Sequence, residues 1–381
     1  MERKRKKLMI PGPVEVDREV LAEMGSPVVA HYGDEWTKIY NETVDLARQV
    51  FQTDNEQLFL IPGSGSAGLD AALGSTVQGN RRILVPINGW FGNRIRNIAS
   101  THSEKVDTLN FELGKPVNTD EVDDYLEDNP EVEVLAMTHC ETSTGVENSV
   151  EEIGEVCSGH DVLFLVDAVS SLGATQLKTD EWNVDICVTA SQKGLEAPPG
   201  LALVSVSQNA WELIDNTPDP GWYLNLKTWK KFALDWSDWH PFPVTMAVNN
   251  VLALRKSLSR ILGEGLKARF RRHKELTGFL RKSLRNMNLE PFVEDRYASS
   301  TVTSVKVGPE LDVDELKKHL EKKFSIKIAG SLGELKGKLF RIGHMGPGAS
   351  YDSLLPLLYG IESYLRHAGR EIPEGQFLRG S

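Results

Sequence analysis

A chain of 381 residues, 40% hydrophobic and 25% charged, is long enough for about two or three globular domains and ordinary in composition for an enzyme. Its formal net charge of −11 excludes a general nucleic-acid binder, which needs a basic face, and no apolar run approaches the ~18 residues that span a bilayer. The three cysteines, Cys140, Cys157 and Cys187, form no CxxC pair and sit in or beside apolar segments, which predicts buried, reduced thiols in a cytoplasmic protein.

The chain opens on a basic head, residues 1–7, that is too short and too poor in serine for a targeting segment and predicts a solvated tail leading into Pro11-Gly12-Pro13. From about residue 35 to 215, short apolar runs alternate with helical patterns. Residues 58–61 precede a helix pattern from Ala67, residues 83–87 one near 93–100, and residues 132–138 one over 151–157; runs at 162–166, 184–190 and 201–206 follow. Such runs predict parallel strands covered on both faces, an α/β arrangement in which ligands bind beyond the carboxyl ends of the strands. After Val248 comes a long charged helical stretch to Arg285, interrupted near Gly263 and Gly265. Strand patterns at 301–307, 326–328 and 339–342, and helices at 313–323 and 351–368, then predict a smaller α/β domain. The polar tail after Arg370 reads as loosely packed. The expected division is an N-terminal segment over 1–20, a large domain over 21–250 and a small C-terminal domain over 251–381.

The polar clusters that could carry chemistry each follow one of these strands. Ser191-Gln192-Lys193-Gly194 places a lysine where a buried strand ends, poised towards a cleft; such an amine forms Schiff bases with carbonyl cofactors, above all pyridoxal phosphate. Gly63-Ser64-Gly65-Ser66-Ala67-Gly68 opens a helix and reads either as a phosphate cradle or as a plain strand-to-helix turn capped by Ser66. It does not match GxxxxGK[ST], which disfavours an ATP site. Asp167, at the tip of 162–166, is either the partner of a protonated ring nitrogen or a helix cap; no ligand spacing nearby predicts a metal. Thr142 could hydrogen-bond a cofactor oxygen or merely close a turn, and an aromatic of Asn88-Gly89-Trp90-Phe91-Gly92 could stack on a planar ring or fill the core. Arg341, flanked by strand-like apolar residues, suits a bidentate grip on a carboxylate or a structural ion pair, while His344 reads as a packed histidine.

Taken together, these segments resemble the class V aminotransferases of the pyridoxal-phosphate fold-type I superfamily, nearest the alanine–glyoxylate / serine–pyruvate group. The shared motifs run in order from Pro11-Gly12-Pro13 through Ser64-Gly65-Ser66, Asn88–Gly92, Glu141-Thr142-Ser143-Thr144-Gly145, Val166–Ser171 and Ser191–Gly194 to Phe340-Arg341-Ile342-Gly343. The resemblance implies a large domain with a mainly parallel seven-stranded sheet between helices. It implies that Lys193 holds pyridoxal 5′-phosphate covalently and acts as base, and that Asp167 pairs with the ring nitrogen. Val169 and Phe91 would flank the ring, Ser64, Gly65, Ser66 and Gln192 would bind phosphate, and Thr142 would contact the ring hydroxyl. Arg341 and Gly12 would meet the substrate. It further implies a homodimer whose partner completes the phosphate site from a Tyr-x-x-Thr segment; here Thr245 is kept and Phe242 replaces the tyrosine. The implied reaction is transamination between a small amino acid, alanine or serine, and glyoxylate or pyruvate. The alternatives are an aspartate or pyridoxamine donor, a lyase, or a desulfurase, for which no cysteine lies in a flexible C-terminal segment.

Overall fold

The computed structural model describes residues 6–308 and 311–379. Seven strands make the central sheet: β1 (Gln57–Gly63), β2 (Ile83–Ile87), β3 (Val106–Asn110), β4 (Val134–Thr138), β5 (Leu163–Asp167), β6 (Ile186–Ala190) and β7 (Gly200–Val206). They lie in the order β1-β7-β6-β5-β4-β2-β3. Every residue of β2, β4, β5 and β6 is buried. Successive side chains of a strand point to opposite faces, so the sheet is covered on both sides, as continuous Val/Ile/Leu runs require.

Two elements depart from the sequence expectation. β7 pairs antiparallel with both β1 and β6, with Gly200 opposite Gly63 and Ala202 opposite Ala190. The reason is connection length: residues 191–199 are too few for the crossover of about a dozen or more that a parallel return needs. β3 has no apolar run to announce it. It is a half-buried edge strand, Val-Asp-Thr-Leu-Asn, held by parallel pairing to β2.

A second, antiparallel sheet comprises β8 (Val302–Lys306), β9 (Ala329–Gly330) and β10 (Leu339–Gly343) in the order β8-β10-β9. Leu280, Leu284, Val305, Phe340, Ile342 and Leu358 pack with it as a separate core. The long charged stretch is two helices, Val248–Glu264 and Leu266–Asn286, broken at Gly265, whose φ of +82° favours glycine. Val251, Leu254, Leu258 and Ile261 of the first helix belong to the larger core; Leu276, Leu280 and Leu284 of the second belong to the smaller one. We propose Gly265 as the junction of the two units.

Both chain ends are better packed than expected. Residues 1–5 of the basic head lie outside the described residues, but Lys7–Leu8 pairs in parallel with Ile326–Lys327, and Met9 is buried in the smaller core. The segment after Arg370 is anchored by buried Phe377 and by the Asn286 side-chain amide, which donates to the Arg379 carbonyl at 2.7 Å. All three cysteines are free and buried. Among the described residues no helix is long and apolar enough to cross a membrane, and no group of side chains could hold a metal ion.

Helix Val150–Gly159 precedes β5, the middle strand of the sheet, and touches Trp182 so closely that a Cβ on Gly154 would lie 1.9 Å from the Trp182 carbonyl oxygen. Gly154→Ala should therefore destabilise the protein by about 1–3 kcal/mol through overpacking, despite alanine's better helix propensity, and lower the midpoint of thermal or urea unfolding.

Candidate active site

β1, β2, β4, β5 and β6 run in the same direction, and the turns that follow them converge. They enclose a cavity of about 240 Å³ lined by Ser64, Gly65, Ser66, Phe91, Thr142, Asp167, Val169, Gln192 and Lys193, together with Leu69, Arg94, Cys140 and Ser170. Larger grooves exist, including one of about 1090 Å³ along Phe111–Glu121 and one of about 710 Å³ at the amino ends of β4, β5 and β6.

Lys193 lies in the turn that forces β7 to run antiparallel. Its Nζ donates to Ser170 Oγ at 3.0 Å and stands 5.9 Å from the centre of the Phe91 ring. Burial lowers the pKa of its amine from 10.5 to about 8; Arg341 and Arg94 push the same way, and Cys140 and Asp167 oppose. Asp167 ends β5 with only 6% of its surface exposed. Burial raises its carboxyl to about 6, against the Val169 N–H, which donates to Oδ1 at 2.9 Å, and the charge of Lys193. No helix begins at this carboxylate, so it is not a cap, and it makes no ion pair among the described residues.

Helix Gly65–Val77 starts at the cavity wall. Its N-cap is Ser64, not Ser66, and the Ser64 side chain makes no capping hydrogen bond. The first N–H groups of the helix are therefore the unpaired donors that suit an anion. Gly65 is needed here for close approach, because a Cβ would lie 2.7 Å from Val169 Cγ2. Nearby, Gln192 Oε1 is buried with no hydrogen-bond partner. Gly12 packs against the lysine stem, where a Cβ would lie 2.6 Å from Lys193 Cε.

The helix that carries Phe91, Trp90–His102, has its N-terminus capped from outside. Glu141 Oε2 accepts from the Phe91 and Gly92 N–H groups at 2.9 and 3.0 Å, and Ser143 Oγ accepts from the Trp90 N–H at 3.0 Å. Glu141 is fully buried, which raises its pKa against these donors. Arg341, on β10, donates from Nε to the Gly330 carbonyl at 2.9 Å and from Nη1 to the Thr142 carbonyl at 3.0 Å. It forms no ion pair among the described residues, and burial lowers its pKa to about 10. The structural ion pair that the sequence left open is thus absent, and the guanidinium keeps N–H groups for a carboxylate.

Other expected residues lie apart. Thr245 is exposed in a separate groove with Val28, His31 and Tyr32. Phe242 is fully buried and turned inward, its ring 4.3 Å from His240 and 5.0 Å from Tyr40 between centres. His344 is a packed histidine between Thr303 Oγ1 at 2.9 Å and Thr277 Oγ1 at 3.4 Å, lowered by burial to about 3. The sequence reading did not single out Ser170, Glu141, Arg94 or Cys140 as site residues. Arg94 follows Phe91 by three helical positions, so the 3.6-residue period was the available signal. It stacks on the Phe91 ring at 4.6 Å and makes no ion pair among the described residues.

Comparison with known proteins gives a consistent result. The family model described as aminotransferase class-V matches residues 17–334. An uncharacterized aminotransferase of Methanocaldococcus jannaschii is 38% identical over 371 residues, 97% of this chain and 95% of that protein. The solved structure of ureidoglycine–glyoxylate aminotransferase from Bacillus subtilis is similar with a TM-score of 0.93 at 33% identity, covering 99% of this chain and 97% of that one. That of alanine–glyoxylate aminotransferase from Nostoc sp. is similar with a TM-score of 0.92 at 31% identity, covering 96% and 97%.

The buried amine yields a direct expectation. In cofactor-free protein, the rate at which an acylating reagent labels Lys193 should rise with pH to about 8 and then level off. Exposed lysines should keep gaining reactivity towards about 10.4. Peptide mass spectrometry across a pH series reads both.

Proposed function

Because the chain belongs to the class V aminotransferases, enzymes that use pyridoxal 5′-phosphate, we propose that it moves the amino group of a small amino acid, alanine or serine, to glyoxylate or pyruvate. The observation that carries this reading is that a half-buried lysine with a lowered pKa and a buried carboxylate without an ion pair face one cavity. The residues present fit the cofactor. The open N-terminus of helix Gly65–Val77 and the side-chain NH2 of Gln192, which lines the cavity, suit a phosphate group, and Asp167 suits a protonated ring nitrogen.

The bound cofactor supplies a carbonyl for Lys193 and a sink for the electron pair left when the donor's Cα–H bond breaks. Lys193 would anchor it covalently and, as a free neutral amine, would take the proton from Cα. Ser64, Gly65, Ser66 and Gln192 would hold the phosphate. Phe91 and Val169 would flank the ring, Thr142 would contact its hydroxyl, and Asp167 would keep its nitrogen protonated. Arg341 grips the donor's α-carboxylate, and Gly12 leaves room for it beside Lys193.

The exposed aromatic patch of Tyr32, Trp222, Trp236 and Trp239 supports a homodimer, since contiguous apolar surface of this kind marks an interface. Thr245 lies in the groove that Tyr32 also lines, a place from which it could reach the partner's phosphate site. With Phe242 turned into the core, the hydroxyl of a tyrosine at that position has no counterpart here. Three reduced, buried thiols support a cytoplasmic location.

One observation favours a second reading. Arg94 is a guanidinium in the cavity wall without an ion pair among the described residues, as a donor with a side-chain carboxylate, such as aspartate, would need.

Single amino acids added to the cofactor-loaded protein should bleach its visible absorbance band fastest with alanine or serine. Fastest bleaching by aspartate would favour the second reading, and no bleaching by any amino acid would argue against transamination. Lys193→Ala should abolish the borohydride-fixed link between cofactor and protein, seen by intact-mass spectrometry. Arg341→Lys gives up the forked geometry; it should raise the KM for the donor about tenfold to a hundredfold while cofactor affinity stays the same, as expected for losing one charge-assisted hydrogen bond.

A further inference from the structure

One hydroxyl in the cavity has no part in the binding scheme above. Ser170 follows β5 in the turn begun by Asp167 and is 5% exposed. Its Oγ accepts from Lys193 Nζ at 3.0 Å and lies 2.5 Å from Thr142 Oγ1. Thr142 Oγ1 in turn donates to the Cys140 carbonyl at 3.4 Å. An ammonium can only donate, so the charged form of Lys193 fixes the sense of the chain: Ser170 accepts from Lys193, which leaves its own proton for Thr142, and Thr142 can give its proton to Cys140. A neutral amine that keeps this donation to Ser170 points its lone pair elsewhere.

We propose that Ser170, oriented by Thr142, is the positioning residue that parks the free amine of Lys193 and turns its lone pair into the cavity. The proposal rests on the role of Lys193 as base. When the donor has displaced it, the amine sits on a flexible four-carbon stem that would otherwise sample many rotamers. Gly12 restrains the stem, since a Cβ there would lie 2.6 Å from Lys193 Cε, and Ser170 restrains the nitrogen. The other polar or charged groups that act on this nitrogen are Asp167, Cys140, Arg94 and Arg341, and none of them forms a hydrogen bond to it among the described residues. Ser170 acts through Lys193, by holding its nitrogen.

The test uses two variants, Ser170→Ala and Thr142→Val, the second removing the orienting hydroxyl at nearly constant volume. The first readout is acylation of Lys193 against pH in cofactor-free protein. An accepting hydroxyl favours the ammonium, so its loss in Ser170→Ala should move the midpoint down by about 0.5–1 pH unit, and Thr142→Val should move it less, in the same direction. The second readout is exchange of the donor's Cα proton with D2O by the loaded enzyme. Ser170→Ala should slow it about tenfold to a hundredfold with donor KM within about twofold, as expected for a misplaced base. In a Lys193→Ala background whose activity is restored by added methylamine, removing Ser170 should change nothing further. An unmoved labelling midpoint in both variants overturns the proposal, as does an equal loss of rate with and without Lys193. Because labelling is read without cofactor or substrate, it stands or falls separately from the proposed transamination; if Ser170→Ala does not fold, Thr142→Val carries the same measurement.

Discussion

An amine and a carboxylate kept out of water at one end of a sheet are the constraint on which the rest of this site depends. Burial pushes the two in opposite senses, Lys193 down to about 8 and Asp167 up to about 6. At neutral pH the carboxylate is still mostly ionised and the amine still mostly charged, so each is held near the point where a small change of surroundings switches it. A charged partner inside the cavity would stabilise Asp167 as an anion. The two residues lie on neighbouring turns because β5 and β6 are parallel neighbours, with Asp167 opposite Val188. The sheet's topology therefore sets the chemistry.

The turn that carries Lys193 is itself held by a buried guanidinium. Arg269, 2% exposed, donates to the Gly194 carbonyl at 3.0 Å and to the Gly173 carbonyl, and pairs with Glu196 and, at 2.9 Å, with Glu264. These contacts join the lysine turn, the turn after β5 and the helix that leads into the smaller core. Removing the arginine would leave the half-buried Glu196 uncompensated, a costlier change than the worth of the pair itself. Arg272 extends the link by donating to the Gly346 and Ala349 carbonyls at 3.2 and 2.5 Å. Arg341 closes it from the other side through the Thr142 carbonyl. The cavity is thus braced from both cores, although nearly all of its lining comes from one.

Much of this was legible from periodicity. The buried strands announce themselves as continuous apolar runs, and Lys193, Asp167, Phe91 and the glycine-rich helix start each follow one. What escaped was set by tertiary context. The direction of β7 depends on the length of one turn rather than on its own residues. β3 is an edge strand without an apolar run. Glu141 looks like one polar residue among several, yet its partners are N–H groups some fifty positions away in sequence. Phe242, which stands where the resemblance expects a tyrosine of the phosphate site, fills a space against Tyr40 that composition cannot reveal. Phe377 likewise anchors a tail whose neighbours are polar.

Glu141 also explains why an anion would choose one helix end over another. Two helices, Gly65–Val77 and Trp90–His102, begin at the cavity, and each carries the partial positive charge of a helix start. The second is neutralised internally: Glu141 occupies its N–H groups at 2.9 and 3.0 Å, and Ser143 takes the remaining one. The first has no such side chain, since Ser64 makes no cap and Gly65 keeps the backbone bare against Val169. A phosphate in the cavity would meet one occupied and one open helix N-terminus, so competition rather than a dedicated basic residue would fix its place. The protein's own carboxylate, by filling one helix start, would leave the other to the ligand.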